Sequence, residues 1–218
     1  MKESKSSSFL VNSFTDLMAS LAVIFILLTI VFIKYASERS EKGKEEIRKS
    51  LAEVLDKDQL PLVQDPKDPL SLSVRVSESY LKFPLNSTTV STAGIEFIHR
   101  FFPSLAEQLC QEEIRTKLDS VVIEGHTDKS GEEKEWGSNR NIRLSQQRAL
   151  AVLVQGLNAL REKPELHGCL LKLASASGRG ASNPVVQEGE YNADLSRRVE
   201  IKIRVKSNEQ EFFNKAAR

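Results

Sequence analysis

From Phe9 to Lys34 the chain reads FLVNSFTDLMASLAVIFILLTIVFIK, apolar at almost every position. Leu17 to Ile33 is 17 residues without a charge, interrupted only by Ser20 and Thr29. Extended back to Phe9 the run has 25 residues, with Asp16 its single charge. A helix rising ~1.5 Å per residue needs about 20 residues to cross ~30 Å of hydrocarbon, so a membrane-spanning helix is predicted over 9–35. A cleaved signal peptide is the competing reading, since Lys2 and Lys5 precede the run. The run exceeds the ~7–15 residues of such a core and contains an acid, and cleavage after Ala36 would place Lys34 where a small residue is wanted. The uncleaved anchor is preferred, with residues 1–8 as a short N-terminal arm.

Beyond the span the pattern changes twice. SERSEKGKEEIRKSLAEVLDKDQLP is mostly charged, with Ile47, Leu51, Val54 and Leu55 at i, i+4, i+7 and i+8. This predicts a juxtamembrane helix within a 36–69 linker, either solvated or using its narrow stripe on a second copy or on the membrane. DPKDP at 65–69 ends it, because the residue before each proline is pushed away from helix. From Leu70, LSLSVRV alternates with period two as a half-buried strand does. SYLKF reads as its paired second strand, STAGIEFIHRFFPSLAEQL as a helix with a Ser/Thr start, and LDSVVIEGHTD as a buried strand running into a loop. NRNIRLSQQRALAVLVQGLNAL is an amphipathic helix, LLKLASASGRG a third strand and SRRVEIKIRV a last one. Strands interleaved with helices on one sheet predict an α/β sandwich over 70–206, with 207–218 a loose tail.

Composition removes several function classes. The net charge is +1 over 218 residues, with both signs interspersed and no basic stripe, so nucleic acid is not expected as a direct partner. There is no G-x-S-x-G, no P-loop and no Cys/His pair, and none of His99, His126 and His167 sits at metal-ligand spacing. An enzyme is not expected, nor a metal or other cofactor; His126 is read as structural. Cys110 and Cys169 agree with an oxidising compartment only weakly.

VVIEGHTDKSG, NIRLSQQRALAV, ASGRGASNPV and RRVEIKI, in that order, resemble the successive signatures of an OmpA-like peptidoglycan-binding domain. The resemblance covers about Leu70 to Val205 and implies a ligand with diaminopimelate, whose ammonium suits an acid and whose carboxylate suits a guanidinium. Carried over by motif, Asp128 and Arg148 form that clamp, Thr127 and Asn141 line the cleft, and Arg198 closes it. Leu144, Ala149 and Val152 are read as helix core, Ser145 as cap or core, and Gly178 and Gly180 as turn glycines. Two departures weaken the transfer. The loop KSGEEKEWGSNR, with Trp136 and three acids, is longer than the family's usual spacing, and Ser196 stands where Asn is frequent.

FTDLMASLAVIF in turn is similar to the start of the MotB membrane helix. A wall-binding domain on one N-terminal span with a membrane acid is the plan of the MotB/ZorB-type stator subunits. ExbD and TolR share the acid but carry another domain. The short arm, compact linker and Trp-bearing insertion point within that family to ZorB-like members of Zorya anti-phage systems, with a MotB-like flagellar stator subunit, or a wall-tethering structural protein without ion transport, as the alternatives. The resemblance implies Asp16 as ion carrier, Ser20 one turn on as an ion-path candidate, a polytopic MotA/ZorA-like partner, two copies of this chain, and peptidoglycan as ligand. It also implies a bacterial inner-membrane protein with its N-terminus cytoplasmic and its C-terminal domain periplasmic, although the lysines flanking the span, counted alone, would place the C-terminal side inside. An ionised carboxylate mid-bilayer costs roughly 2.5–3.5 kcal/mol, and a charge crossing ~150 mV releases about 3.5 kcal/mol, so one group can switch a partner. In a sandwich of this order the strand entrances near Cys110 and Cys169 can lie on one sheet edge, which predicts a disulfide; two separate buried thiols are the alternative.

Overall fold

The computed structural model describes residues 4–65, 68–130 and 137–207, with the backbone alone for 4–13 and 35–40. The chain forms two compact units, Met1–Lys42 and Gly43–Arg218. Helix α1 (Ser4–Lys57) contributes to both. In the first unit every side chain from Phe14 to Lys34 is exposed, a stretch of 21 residues with mean hydropathy 2.7. By length and composition that stretch can cross a membrane.

The second unit is built on a five-stranded sheet in the order β1-β2-β7-β3-β4. Its strands are β1 (Leu62–Gln64), β2 (Ser71–Ser77), β3 (Leu118–His126), β4 (Ala174–Gly178) and β7 (Arg198–Val205). β3 and β4 are parallel, and the other neighbours are antiparallel. Helices α3 (Thr92–Leu109), α5 (Gly137–Ala159) and α6 (Pro164–Leu173) share one core with the apolar side of the strands. Val74, Ile123 and Ile201 stand opposite one another in register and are buried there. A short hairpin, β5 (Val185–Gln187) and β6 (Glu190–Asn192), forms a separate sheet.

Three expectations change. The stripe placed in the linker belongs to this core: Ile47, Leu51 and Leu55 are buried with the sheet and helix residues. Burying them in their own domain removes the apolar surface that a second copy or a membrane would otherwise cover. α1 ends at Lys57, before DPKDP; Gln59 beyond it adopts φ 52°, Leu60 N donates to Leu55 O at 3.0 Å, and Pro61 follows. The freed chain then adds β1 to the sheet. Second, SYLKF is not a strand. Ser77 caps the single turn α2 (Glu78–Leu81), accepting from Ser79 N at 3.1 Å, and the Tyr80 hydroxyl donates to Asp58 O at 2.8 Å. Third, Leu170–Leu173 continue α6, started by Pro164 at its first position, and the strand begins only at Ala174.

Two glycines seat α5 on the sheet. A Cβ at Gly125 would lie 2.1 Å from Ser145 O, and one at Gly178 2.3 Å from Gln146 N. Gly178 therefore serves close helix–strand approach, whereas Gly180, at φ 54°, is a turn glycine as expected. The Cys110–Cys169 disulfide ties the end of α3 to α6.

Candidate functional site

The end of the sheet where β2 and β3 finish and β7 begins carries a cleft of about 600 Å³. Around it the structure gathers Thr127, Asp128, Asn141 and Arg148, four of the residues singled out by motif. Local backbone bonds explain their convergence. Thr127 N donates to Gly180 O, and Arg179 N to Gly125 O, each at 2.9 Å. Ser145 accepts from Gly180 N at 2.9 Å and donates to Ile142 O at 2.9 Å, so its role is to pin that turn to α5. Asn141 Nδ2 reaches Asp128 O at 3.4 Å and Ser130 O at 3.5 Å.

Arg148 is nearly buried, its guanidinium 4.8 Å from the centre of the Phe83 ring. Nε donates to Ser87 O at 3.0 Å, and Nη1 lies 3.2 Å from Glu78 Oε1. Arg197 Nε meets the other oxygen, Glu78 Oε2, at 2.9 Å, and Arg197 Nη1 pairs with Asp128 Oδ2. Glu78 thus bridges two guanidinia. Burial alone would raise the Asp128 pKa, but hydrogen bonds from Arg197 and Ser130 outweigh it and bring it below the usual aspartate value. Burial lowers the Arg148 pKa, with the Glu78 and Asp128 charges opposing. Thr127 Oγ1 is buried and has no hydrogen-bond partner among the described residues. A ligand donor or acceptor there would satisfy it.

Arg198 does not close this cleft. Strand side chains alternate, and Val199, Ile201 and Ile203 set the helix-covered face, so Arg197 points the cleft's way and Arg198 the other. Arg198 is buried, with Nε 2.7 Å from Glu200 Oε1 and Nη1 3.3 Å from Asn183 O. Arg197 and Glu78 were missed in the sequence, yet parity was the available signal: Leu72, Val74 and Val76 put Glu78 in phase with the cleft face. Ser196, the departure from the motif, is buried; it accepts from Val185 N at 3.0 Å and donates to Asn192 O at 2.6 Å, anchoring the hairpin. Trp136 and the three acids of the long loop lie outside the described residues. Asp16 and Ser20 lie exposed on the apolar stretch of α1.

Glu124, His126 and Glu200 approach closely enough to hold a metal ion. Each carboxylate is already engaged by cations, Glu124 by Lys202 (2.7 Å) and Arg179 (2.9 Å), Glu200 by Arg198 and Arg75 (3.1 Å). A metal would have to displace these, which favours reading the trio as a structural ion cluster.

No family model matches the chain. It is 27% identical over 209 residues to the Zorya protein ZorB of Escherichia coli, covering 88% of this chain and 86% of the relative. A MotB-like protein from Desulfovibrio vulgaris matches with TM-score 0.52 and 19% identity, over 79% of this chain and 98% of that one. The periplasmic domain of Helicobacter pylori MotB gives 0.49 and 17%, over 72% and 89%. The chain is thus similar to ZorB along most of its length, and its folded unit shares the mixed α/β fold of the Desulfovibrio vulgaris MotB-like protein.

Proposed function

We propose that the chain is a membrane-anchored, peptidoglycan-binding stator subunit of a Zorya-type anti-phage complex, driven by ions that Asp16 carries. The observation that supports it best is similarity to ZorB over 88% of the chain, a longer stretch than the cleft-bearing unit Gly43–Arg218 alone, together with an apolar stretch long enough to cross a membrane. In this reading the helix spans the inner membrane with the C-terminal unit in the periplasm. Asp128 receives the ammonium of diaminopimelate, and Arg148 its carboxylate. Thr127 and Asn141 complete the polar lining. Asp16 lies within an otherwise uncharged span, where an ionised group is costly unless it is used. One helix encloses no path, so a polytopic ZorA-like partner supplies the remaining walls, around two copies of this chain.

Two variants separate the halves of this reading. Asp16→Asn should abolish phage protection while membrane insertion and binding to purified peptidoglycan persist. Asp128→Ala with Arg148→Ala should lose the peptidoglycan pull-down while the chain still inserts. Full protection by the first would remove the ion-carrier role and leave a plain wall tether. Undiminished pull-down by the second would remove the clamp.

A further inference from the structure

The cleft continues past Arg140 into a second groove of about 440 Å³. The two share Asn86, Arg140 and Leu144, and the groove adds Thr88, Asn139, Arg143 and Gln147. One wall is the N-terminal half of α5. The other is the 86–88 loop, whose backbone Arg148 holds through Ser87 O. The charge balance differs sharply from the clamp. There, Arg148 and Arg197 each face a carboxylate. In the groove, among the described residues, no carboxylate lines the wall, and Arg140 and Arg143, one turn apart and exposed, form no ion pair.

Two guanidinia without a carboxylate partner among the described residues, beside amide side chains, suit a peptide that carries its own carboxylate. A ligand whose diamino acid sits in the clamp must leave it along a neighbouring surface, and one extended residue spans only ~3.5 Å. In wall peptides the residue before the diamino acid is a glutamate joined through its side-chain carboxyl, which leaves its α-carboxylate free. We propose that the Arg140–Arg143 groove binds this free α-carboxylate, making the domain selective for wall peptides in which it is not amidated. The inference rests on the wall-binding reading above and specifies which form of the wall is bound.

The test is calorimetry on the detergent-solubilised full chain with three probes: L-Ala-γ-D-Glu-diaminopimelate, its α-amide, and free diaminopimelate. The acid tripeptide should bind about five-fold more tightly than the amide, the scale of an exposed ion pair. Arg143→Gln, which lies outside the clamp, should bind the two tripeptides alike and free diaminopimelate as the unaltered chain does. Equal affinity of the unaltered chain for acid and amide would overturn the inference, as would full discrimination by Arg143→Gln. Binding of free diaminopimelate in either case leaves the clamp standing. Failure of all three probes would overturn the wall-binding reading and this inference with it.

Discussion

Arg197 and Arg198 are adjacent in the chain and belong to two unlike ionic systems. Arg197 is one-third exposed and meets Asp128, Glu78 and Asp194 at the rim of an open cleft. Arg198 is buried beside Glu200, in a cluster that runs across β3 and β7 through His126, Glu124 and Lys202 to Asp65. Strand alternation divides them. The exposed network can exchange partners with a ligand at modest cost, because water and counter-ions stabilise whatever is released. The buried one cannot, since removing one member strands a charge in a poorly solvated place. Similar residues on opposite sides of one sheet thus form an open, exchangeable network on one side and a closed, buried one on the other.

The largest loss of stability is expected from breaking what both networks share, the scaffold. Cys110→Ser with Cys169→Ser opens a loop with sequence separation 59. It should cost about 4 kcal/mol in denaturant unfolding of the full chain on a chain-entropy estimate, lowering both networks together. Unchanged unfolding in the oxidised state would show that the bridge contributes nothing. Next, Arg198→Ala should destabilise by about 3 kcal/mol or more, and Arg197→Ala by under about 1 kcal/mol while weakening peptidoglycan binding. Equal stability losses for the two would erase the distinction between buried and exposed.

pH gives the smallest and finest test. Burial lowers the His126 pKa below its ordinary 6.5. The unfolded chain therefore takes up the proton first, and stability should fall as pH drops below about 6.5. Burial would raise Glu124 and Glu200, but their basic partners hold both below 4.5, so a second loss should set in under that value. Stability should therefore decline on going from pH 7.5 to 5.5, and His126→Gln should abolish that decline. Asp128, also held below its usual value, stays ionised throughout that range, so peptidoglycan binding should remain flat. Stability that rises on acidification to pH 5.5 would contradict the neutral buried imidazole.

Much of this architecture was legible because periodicity and burial agree. β2, β3, α3, α5 and β7 all arise where apolar residues recur at period two or 3.6. The errors arose where local signals were weaker than tertiary ones. Ile47, Leu51 and Leu55 look like a linker stripe until the core that covers them is known. SYLKF has strand composition, but the Ser77 cap and the Tyr80–Asp58 bond favour a helical turn. In the cleft, motif spacing located Asp128 and Arg148. The motif by itself pointed to Arg198 as the residue that closes the cleft, where counting parity back from Val199 selects Arg197. Glu78 carried no motif at all, and its importance comes from bridging two guanidinia that the sequence separates widely.

That bridge sets a limit on how tightly any single cleft can hold its ligand. Asp128 and Arg148 are not waiting empty: the first is bound to Arg197, the second to Glu78. A ligand that brings one ammonium and one carboxylate replaces two existing pairs with two new ones, so the net gain per site is a difference between similar quantities. Such exchange favours weak, quickly reversible attachment. A polymer that repeats its ligand along a lattice restores strength by another route, because once one cleft is seated the next repeat is present at high effective concentration for a second. Under the wall-binding reading, firm anchorage would then come from several domains on a continuous wall, and a soluble wall fragment would bind a single cleft measurably but gain none of that added strength.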